Sequence, residues 1–138
     1  MTKRERTKHR SSCPLASALD LLGDKWTLLI VRDLIYFGPS TFNKLSASSE
    51  NIQTNTLADR LRKLEELGIV AKQPYQERPV RYEYSLTEAG LTLIPVLKAF
   101  TLWGQKHIGS TETIIAVEDG VERMTRPVAV DPALLLDN

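Results

Sequence analysis

A change of period at Gly68 constrains this chain more than any other feature. Before it, QTNTLADRLRKLEEL (residues 53–67) sets Leu57, Leu61 and Leu64 at the i, i+4, i+7 spacing of one helix face. After it, IVAKQPY and VRYEYSL alternate with a period of two around the turn QERP, which predicts a β-hairpin. Gly68 is the stop between the two regimes. On the helix, the leucine stripe leaves Asn55, Asp59, Arg62 and Lys63 on the far side, with Thr54, Thr56 and Arg60 nearer its edges. A first turn of amides and hydroxyls is poor for helix propensity but well supplied with donors and acceptors for base edges and phosphates. In isolation the same residues also describe an ordinary amphipathic helix with a solvated outer face, so the flanking segments must decide.

Upstream, Ser12 as a cap, Pro14 near the first helical position and Gly23 bracket a first helix whose apolar face is Leu15, Ala18, Leu19 and Leu22. Asp24 then caps KWTLLIVRDLIYF, in which Trp26, Ile30, Leu34 and Phe37 follow helical spacing until Gly38 and Pro39 end it. Thr41 caps the short helix FNKL, and the polar turn SASSEN leads into the Gln53 helix. Downstream, Thr87 caps one long helix, EAGLTLIPVLKAFTLWGQKHI, bent at Pro95, which removes a hydrogen bond to the carbonyl of Leu91. That helix is apolar on more than one stripe. A domain of this size cannot cover it all, which predicts a partner subunit.

Length and composition fit one globular domain: 138 residues, 42% hydrophobic and 25% charged, with no apolar run approaching the roughly 20 residues a membrane-spanning helix needs. The N-terminus MTKRERTKHRSS has no apolar core behind its charges, so it does not read as a secretory signal and a cytoplasmic location is expected. A net charge of +1 hides an asymmetry. Residues 1–110 hold 16 Lys and Arg against 11 Asp and Glu, a charge of +5, whereas residues 111–138 hold 2 against 6, a charge of −4. A moderately basic body permits nucleic-acid binding. The expected organisation is a mobile basic arm (1–12), a central domain (13–110) and an acidic extension (111–138) with a hairpin signal at Asp119–Gly120.

Helix, helix, short helix, helix, two strands, helix is the layout of a winged helix-turn-helix, an α+β fold that is mostly helical. In this arrangement one helix enters the major groove while the hairpin reaches adjacent phosphates or the minor groove, and both need cations where Arg60, Lys63, Arg78 and Arg81 stand. Thr54, Asn55, Thr56 and Asp59, in the first turns, are expected to approach bases. The partner expected is double-stranded DNA. An enzyme is disfavoured by the lack of a phosphate loop, a nucleophile elbow or a metal-ligand cluster, and neither cofactor nor metal is expected. The competing expectation is a winged-helix protein-interaction module, which would present an apolar or acidic face instead.

These residues also carry a resemblance to the HxlR-type winged-helix transcriptional regulators, relatives of the MarR group. CPLASALDLLGDKWTLLIVRDL, FNKL, LADRLRKLEELGIV, RPVRYEYSLTEAG and the Trp103–Gly104 pair match the family's landmarks in order, from Cys13 to Ile108. The resemblance implies a homodimer built through the N- and C-terminal helices, with Leu15, Leu19, Leu97, Phe100 and Trp103 at the contact, bound to a pseudo-palindromic operator. Asn51 stands where the family commonly has Gly, which the tolerance of Asn for left-handed backbone accommodates. Gln53 replaces a usual Ser, leaving the cap of the DNA-reading helix open, and the segment after Ser110 lies beyond the resemblance. Cys13 has two readings: a thiol switch responding to an electrophile, as in some members of the family, or an inert residue in a dimer contact. A small ligand between the first and last helices, near Trp26 and Trp103, is the other effector considered.

Overall fold

The computed structural model describes residues 10–108 and two further strands, 115–118 and 121–124. In chain order the elements are α1 (Pro14–Leu22), α2 (Thr27–Phe37), α3 (Phe42–Ser46), α4 (Thr54–Glu66), β1 (Val70–Glu77), β2 (Val80–Leu86), α5 (Glu88–Leu91), α6 (Ile94–His107), β3 (Ile115–Glu118) and β4 (Val121–Met124). The fold is the expected α+β winged helix-turn-helix, mostly helical. Residues 1–9 of the expected arm, and most of the acidic extension, lie outside the described residues. Within that extension β3 and β4 pair antiparallel from Ile115↔Met124 to Glu118↔Val121, as the turn signal between them predicts.

The core forms around α4. Leu57, Leu61 and Leu64, the three residues of the predicted stripe, are at most 1% exposed and meet Ile30, Val31 and Leu34 of α2, Leu45 of α3, Ile52, Val70 and Leu97. Gly68 ends α4 in the left-handed region (φ 75°). Its amide donates to the Glu65 carbonyl and that of Ile69 to Leu64, the paired bonds of a Schellman stop. The chain leaves directly into β1, which pairs with β2 from Val70↔Leu86 to Glu77↔Val80 with a bulge at Tyr75. The outgoing strand runs two residues further than the alternation suggested, to Glu77, while the return strand is VRYEYSL as expected; the reversal is confined to Arg78 and Pro79, joined by a cis peptide bond. Ser40 anchors this hairpin to the helical layer: its amide donates to the Tyr84 carbonyl at 2.9 Å and its carbonyl accepts from the Tyr84 amide at 2.7 Å.

Three expectations are corrected. The final helix is two helices, since Pro95 neither donates a hydrogen bond nor leaves room for the Leu91 carbonyl; the chain halts at Leu91 and restarts so that Pro95 falls in the first turn of α6, where no donor is needed. Ser12 does not cap α1. Cys13 occupies the cap position, with no side-chain hydrogen bond to the helix, because Pro14 sets the first helical residue. Leu97, expected at a subunit contact, is 5% exposed in the chain's own core, on the side of α6 that faces α2. The expected caps at Thr41 and Thr87 are present, accepting from the Lys44 amide at 3.2 Å and the Gly90 amide at 3.1 Å.

Candidate nucleic-acid interface

Helix α4 presents Thr54 and Asn55 to solvent at its N-terminal end, with Thr56 and Asp59 half-buried beside them and Arg62 and Lys63 exposed further along. Gln53 is at the cap position without a side-chain cap, so the first amides of α4 are left to water or to another partner. Asn51, two residues earlier, has φ 58°, as its place in the turn requires.

The cations of α4 are engaged by carboxylates. Arg62 pairs with Asp59 at 2.8 Å and Glu66 at 3.0 Å, and Lys63 lies 3.3 Å from Asp59. Arg60 leans the other way: its Nε donates to Asp24 Oδ2 at 2.8 Å, and a second nitrogen contacts Asp59. Hydrogen bonding from Arg62, followed by Lys63 and Arg60, lowers the Asp59 carboxyl below its ordinary value. Asp24 also accepts from the Trp26 and Thr27 amides, both at 3.1 Å, and from the Thr27 hydroxyl. Partial burial alone would raise the Asp24 carboxyl; the bonds from Thr27 and Arg60 outweigh it and bring it down to about 2. The residue that starts α2 therefore also holds the middle of α4.

A second cluster fixes the turn before α4. Arg32 of α2 donates to Asp33 at 2.7 and 3.0 Å, to Glu50 at 2.7 and 2.9 Å and to Ser48 at 3.3 Å. Burial pushes the Asp33 carboxyl up, whereas the bonds from Arg32 draw Glu50 down to about 2. The sequence reading missed Arg32, Asp33 and Glu50. The one available signal was a charged pair, Arg32–Asp33, set inside an otherwise apolar helix.

On the wing, Arg78 is exposed at the tip and Arg81 on the return strand, and among the described residues neither forms an ion pair. Lys72 lies over the rings of Tyr82 and Tyr84, at 4.7 and 6.0 Å from their centroids. The structure thus brings Thr54, Asn55, Thr56, Asp59 and Lys63 together on one helix and Arg78 with Arg81 on the hairpin beyond it. Arg60 it turns inward to Asp24. On α1 and α6, Leu15, Leu19, Phe100 and Trp103 are each more than half exposed, and Cys13 is exposed at the start of α1. The described residues hold no cluster able to bind a metal and no helix long and apolar enough to cross a membrane.

A family model described as HxlR-like helix-turn-helix matches residues 21–112. The chain belongs to this family. It is 42% identical over 95 residues to an HTH-type transcriptional regulator of Mycobacterium tuberculosis (strain CDC 1551 / Oshkosh), an alignment covering 69% of this chain and 59% of that relative. With the HTH-type transcriptional regulator YdeP of Bacillus subtilis it shares 37% over 95 residues, 69% of this chain and 73% of YdeP. The chain spans less than two thirds of the mycobacterial relative's length. Among solved structures, the reduced form of the transcriptional regulator YodB from B. subtilis superimposes with a TM-score of 0.61 at 34% identity, covering 74% of this chain and 100% of YodB. The oxidized form of the redox regulator HypR gives 0.60 at 35%, covering 69% and 97%.

Proposed function

We propose that this protein is a sequence-specific, double-stranded-DNA-binding transcriptional regulator that acts as a homodimer on a pseudo-palindromic operator. The observation that carries this is the N-terminal end of α4: uncapped amides beside exposed Thr54 and Asn55, held on a buried leucine stripe and flanked by a cationic wing. Thr54, Asn55 and Thr56 meet bases, with Asp59 next to them. Lys63, Arg78 and Arg81 meet phosphates. Arg60 leaves the phosphate set because Asp24 and Asp59 occupy its guanidinium. Residues 13–110 form the binding and pairing unit, acting in the cytoplasm.

Asn55→Ala should cost about 1–3 kcal/mol at operator DNA recovered by selection from genomic fragments, and little on random duplex. Lys63→Ala should weaken both alike. Equal losses on both DNAs for both variants would overturn the division of roles, and no enrichment of any fragment by the wild type would overturn specific binding itself.

Pairing through α1 and α6 is supported by the exposed Leu15, Leu19, Phe100 and Trp103, and it would set two α4 helices on half-sites about 34 Å apart. A monomer by sedimentation at micromolar concentration would sink it. Cys13, exposed at the start of α1, is where an electrophile would act to release the operator; release that persists in Cys13→Ser would move the switch to a ligand bound near Trp26 and Trp103.

A further inference from the structure

Shortly before α4 begins, Glu50 is held by both of its carboxylate oxygens. Arg32 of α2 donates to Oε1 at 2.7 Å and to Oε2 at 2.9 Å, a fork that fixes distance and plane together. The Ser48 hydroxyl adds a bond to Oε1 at 3.0 Å. Along its Nε edge the same guanidinium donates to Asp33 Oδ1 at 2.7 and 3.0 Å, and Asp33 is buried. Arg32 is thus fixed to its own helix before it reaches the turn.

Between α3 and α4 the side chain of Ile52, 8% exposed, anchors the chain in the core. One anchor leaves the entry to α4 free to pivot; the fork on Glu50 adds a second and so sets direction as well as place. The turn between them is closed, since the Asn51 amide donates to the Ser48 carbonyl at 3.0 Å and Asn51 takes φ 58°. Gln53 then offers no side-chain cap to the first amides of α4, so its first turn takes its position from the segment before it. The residues assigned to phosphates are held by other means. Lys63 follows the Arg60–Asp24 bond, and the wing is joined to the helical layer by the two bonds between Ser40 and Tyr84.

We propose that Arg32 is a positioning residue for operator recognition: its fork on Glu50 sets where Thr54 and Asn55 meet the bases, and so separates operator from random duplex without itself touching DNA. The assignment rests on the DNA-binding function proposed above. The two kinds of contact differ in how much displacement they survive. A base hydrogen bond needs its heavy atoms within about 2.7–3.2 Å, whereas attraction to a phosphate is spread over a screening length of about 10 Å at ~0.1 M salt. A small tilt at the entry to α4 therefore costs base reading and spares phosphate binding.

Charge-conserving variants of the full chain test it. Arg32→Lys keeps a cation beside Asp33 but has no fork, and Glu50→Asp keeps the carboxylate one methylene short of the guanidinium. Each is titrated over a range of KCl concentrations with random duplex and with operator duplex recovered by selection from genomic fragments. Each should lose roughly tenfold on operator, about the worth of one base contact, while staying within about twofold of wild type on random duplex and keeping its salt slope. The double variant should lose no more than the worse single one, because both break the same tie. In hydrogen exchange, the Asn51 and Leu57 amides, bonded to the Ser48 and Gln53 carbonyls, should exchange faster, with those of Gly68 and Tyr84 unchanged. Wild-type operator affinity in both folded variants, unchanged exchange at Asn51 and Leu57, or an equal loss on operator and random duplex would each overturn the positioning role alone. A wild type that enriches no fragment would overturn specific DNA binding, and this role with it.

Discussion

Two carboxylate–guanidinium ties hold α4, and they differ in depth. At its entry, Arg32 and Asp33 have side chains only 17% and 8% exposed, with Glu50 at 37%. At its middle, Arg60, Asp24 and Asp59 are 23%, 31% and 35% exposed. A shallow tie leaves its partners partly hydrated when broken, so its loss is small; a deep one leaves an uncompensated charge in a place water cannot reach. The entry tie thus carries more stability at risk and sets the turn Ser48–Ile52, whereas the middle tie orients α4 and manages its charge.

Arg32→Met separates the two ties most sharply. It deletes the guanidinium hydrogen bonds to Asp33 and Glu50 while keeping an apolar stem, leaves Glu50 its bond from Ser48, and buries Asp33 without a cation. Unfolding by urea should show a loss of about 3–5 kcal/mol, partly recovered in Arg32→Met/Asp33→Leu, where no charge is stranded. A loss under about 1 kcal/mol would mean that the entry tie behaves like the shallow one.

Local signals in the sequence carried most of the fold. The stripe Leu57–Leu61–Leu64, the caps Thr41 and Thr87, the stop at Gly68 and the alternation of the wing each depend on residues within a few positions, and each appears as expected. Pro95 was visible as a disruption, but whether a proline bends a helix or divides it depends on what the preceding turn packs against. There Gly90 lies so close to the Ile69 carbonyl that an added Cβ would sit 2.3 Å from it. Leu97 looked like one of many apolar residues on an over-apolar helix, and only the packing of α6 against α2 says which of them turns inward. The ties were illegible for a related reason. Arg32 and Glu50 are 18 residues apart and Arg60 and Asp24 are 36 apart, so although the helix period sets Arg60 nearer the edge of the leucine stripe than Arg62 and Lys63, nothing local names Asp24 as its partner.

Acid sharpens the comparison next, since each tie contains a carboxylate held near 2: Glu50, from an ordinary 4.5, and Asp24, from 3.8. A depressed carboxyl contributes stability that is complete above its unfolded value and lost as pH falls toward its folded one. The melting temperature should therefore fall as pH drops from about 4.5 toward 2. Asp33 opposes the trend, because its carboxyl is raised by burial and protonation there favours the folded chain. Glu50→Gln should lower the melting temperature at neutral pH and flatten the decline between about 4.5 and 2, with Asp24→Asn flattening its lower part. An unchanged acid limb in both variants would assign acid unfolding to other groups.

The smallest change in stability is expected at Asp59, and there the comparison bears on function. Asp59 is on the surface of α4 and gathers Arg60, Arg62 and Lys63. Arg60 keeps Asp24 and Arg62 keeps Glu66 if it is removed, so Asp59→Asn should leave the melting temperature within error of wild type. Lys63 alone loses its partner, and α4 gains one positive charge. If Asp59 serves to offset that charge, Asp59→Asn should bind random and operator duplex more tightly by a similar factor, with a steeper salt dependence. If it reads a base, the variant should instead change which operator positions tolerate substitution while random binding stays the same. A binding-site selection run with both proteins distinguishes these outcomes: the same preferred sequence with higher affinity overall assigns Asp59 to charge management, and an altered preference at one position returns it to the base-reading set.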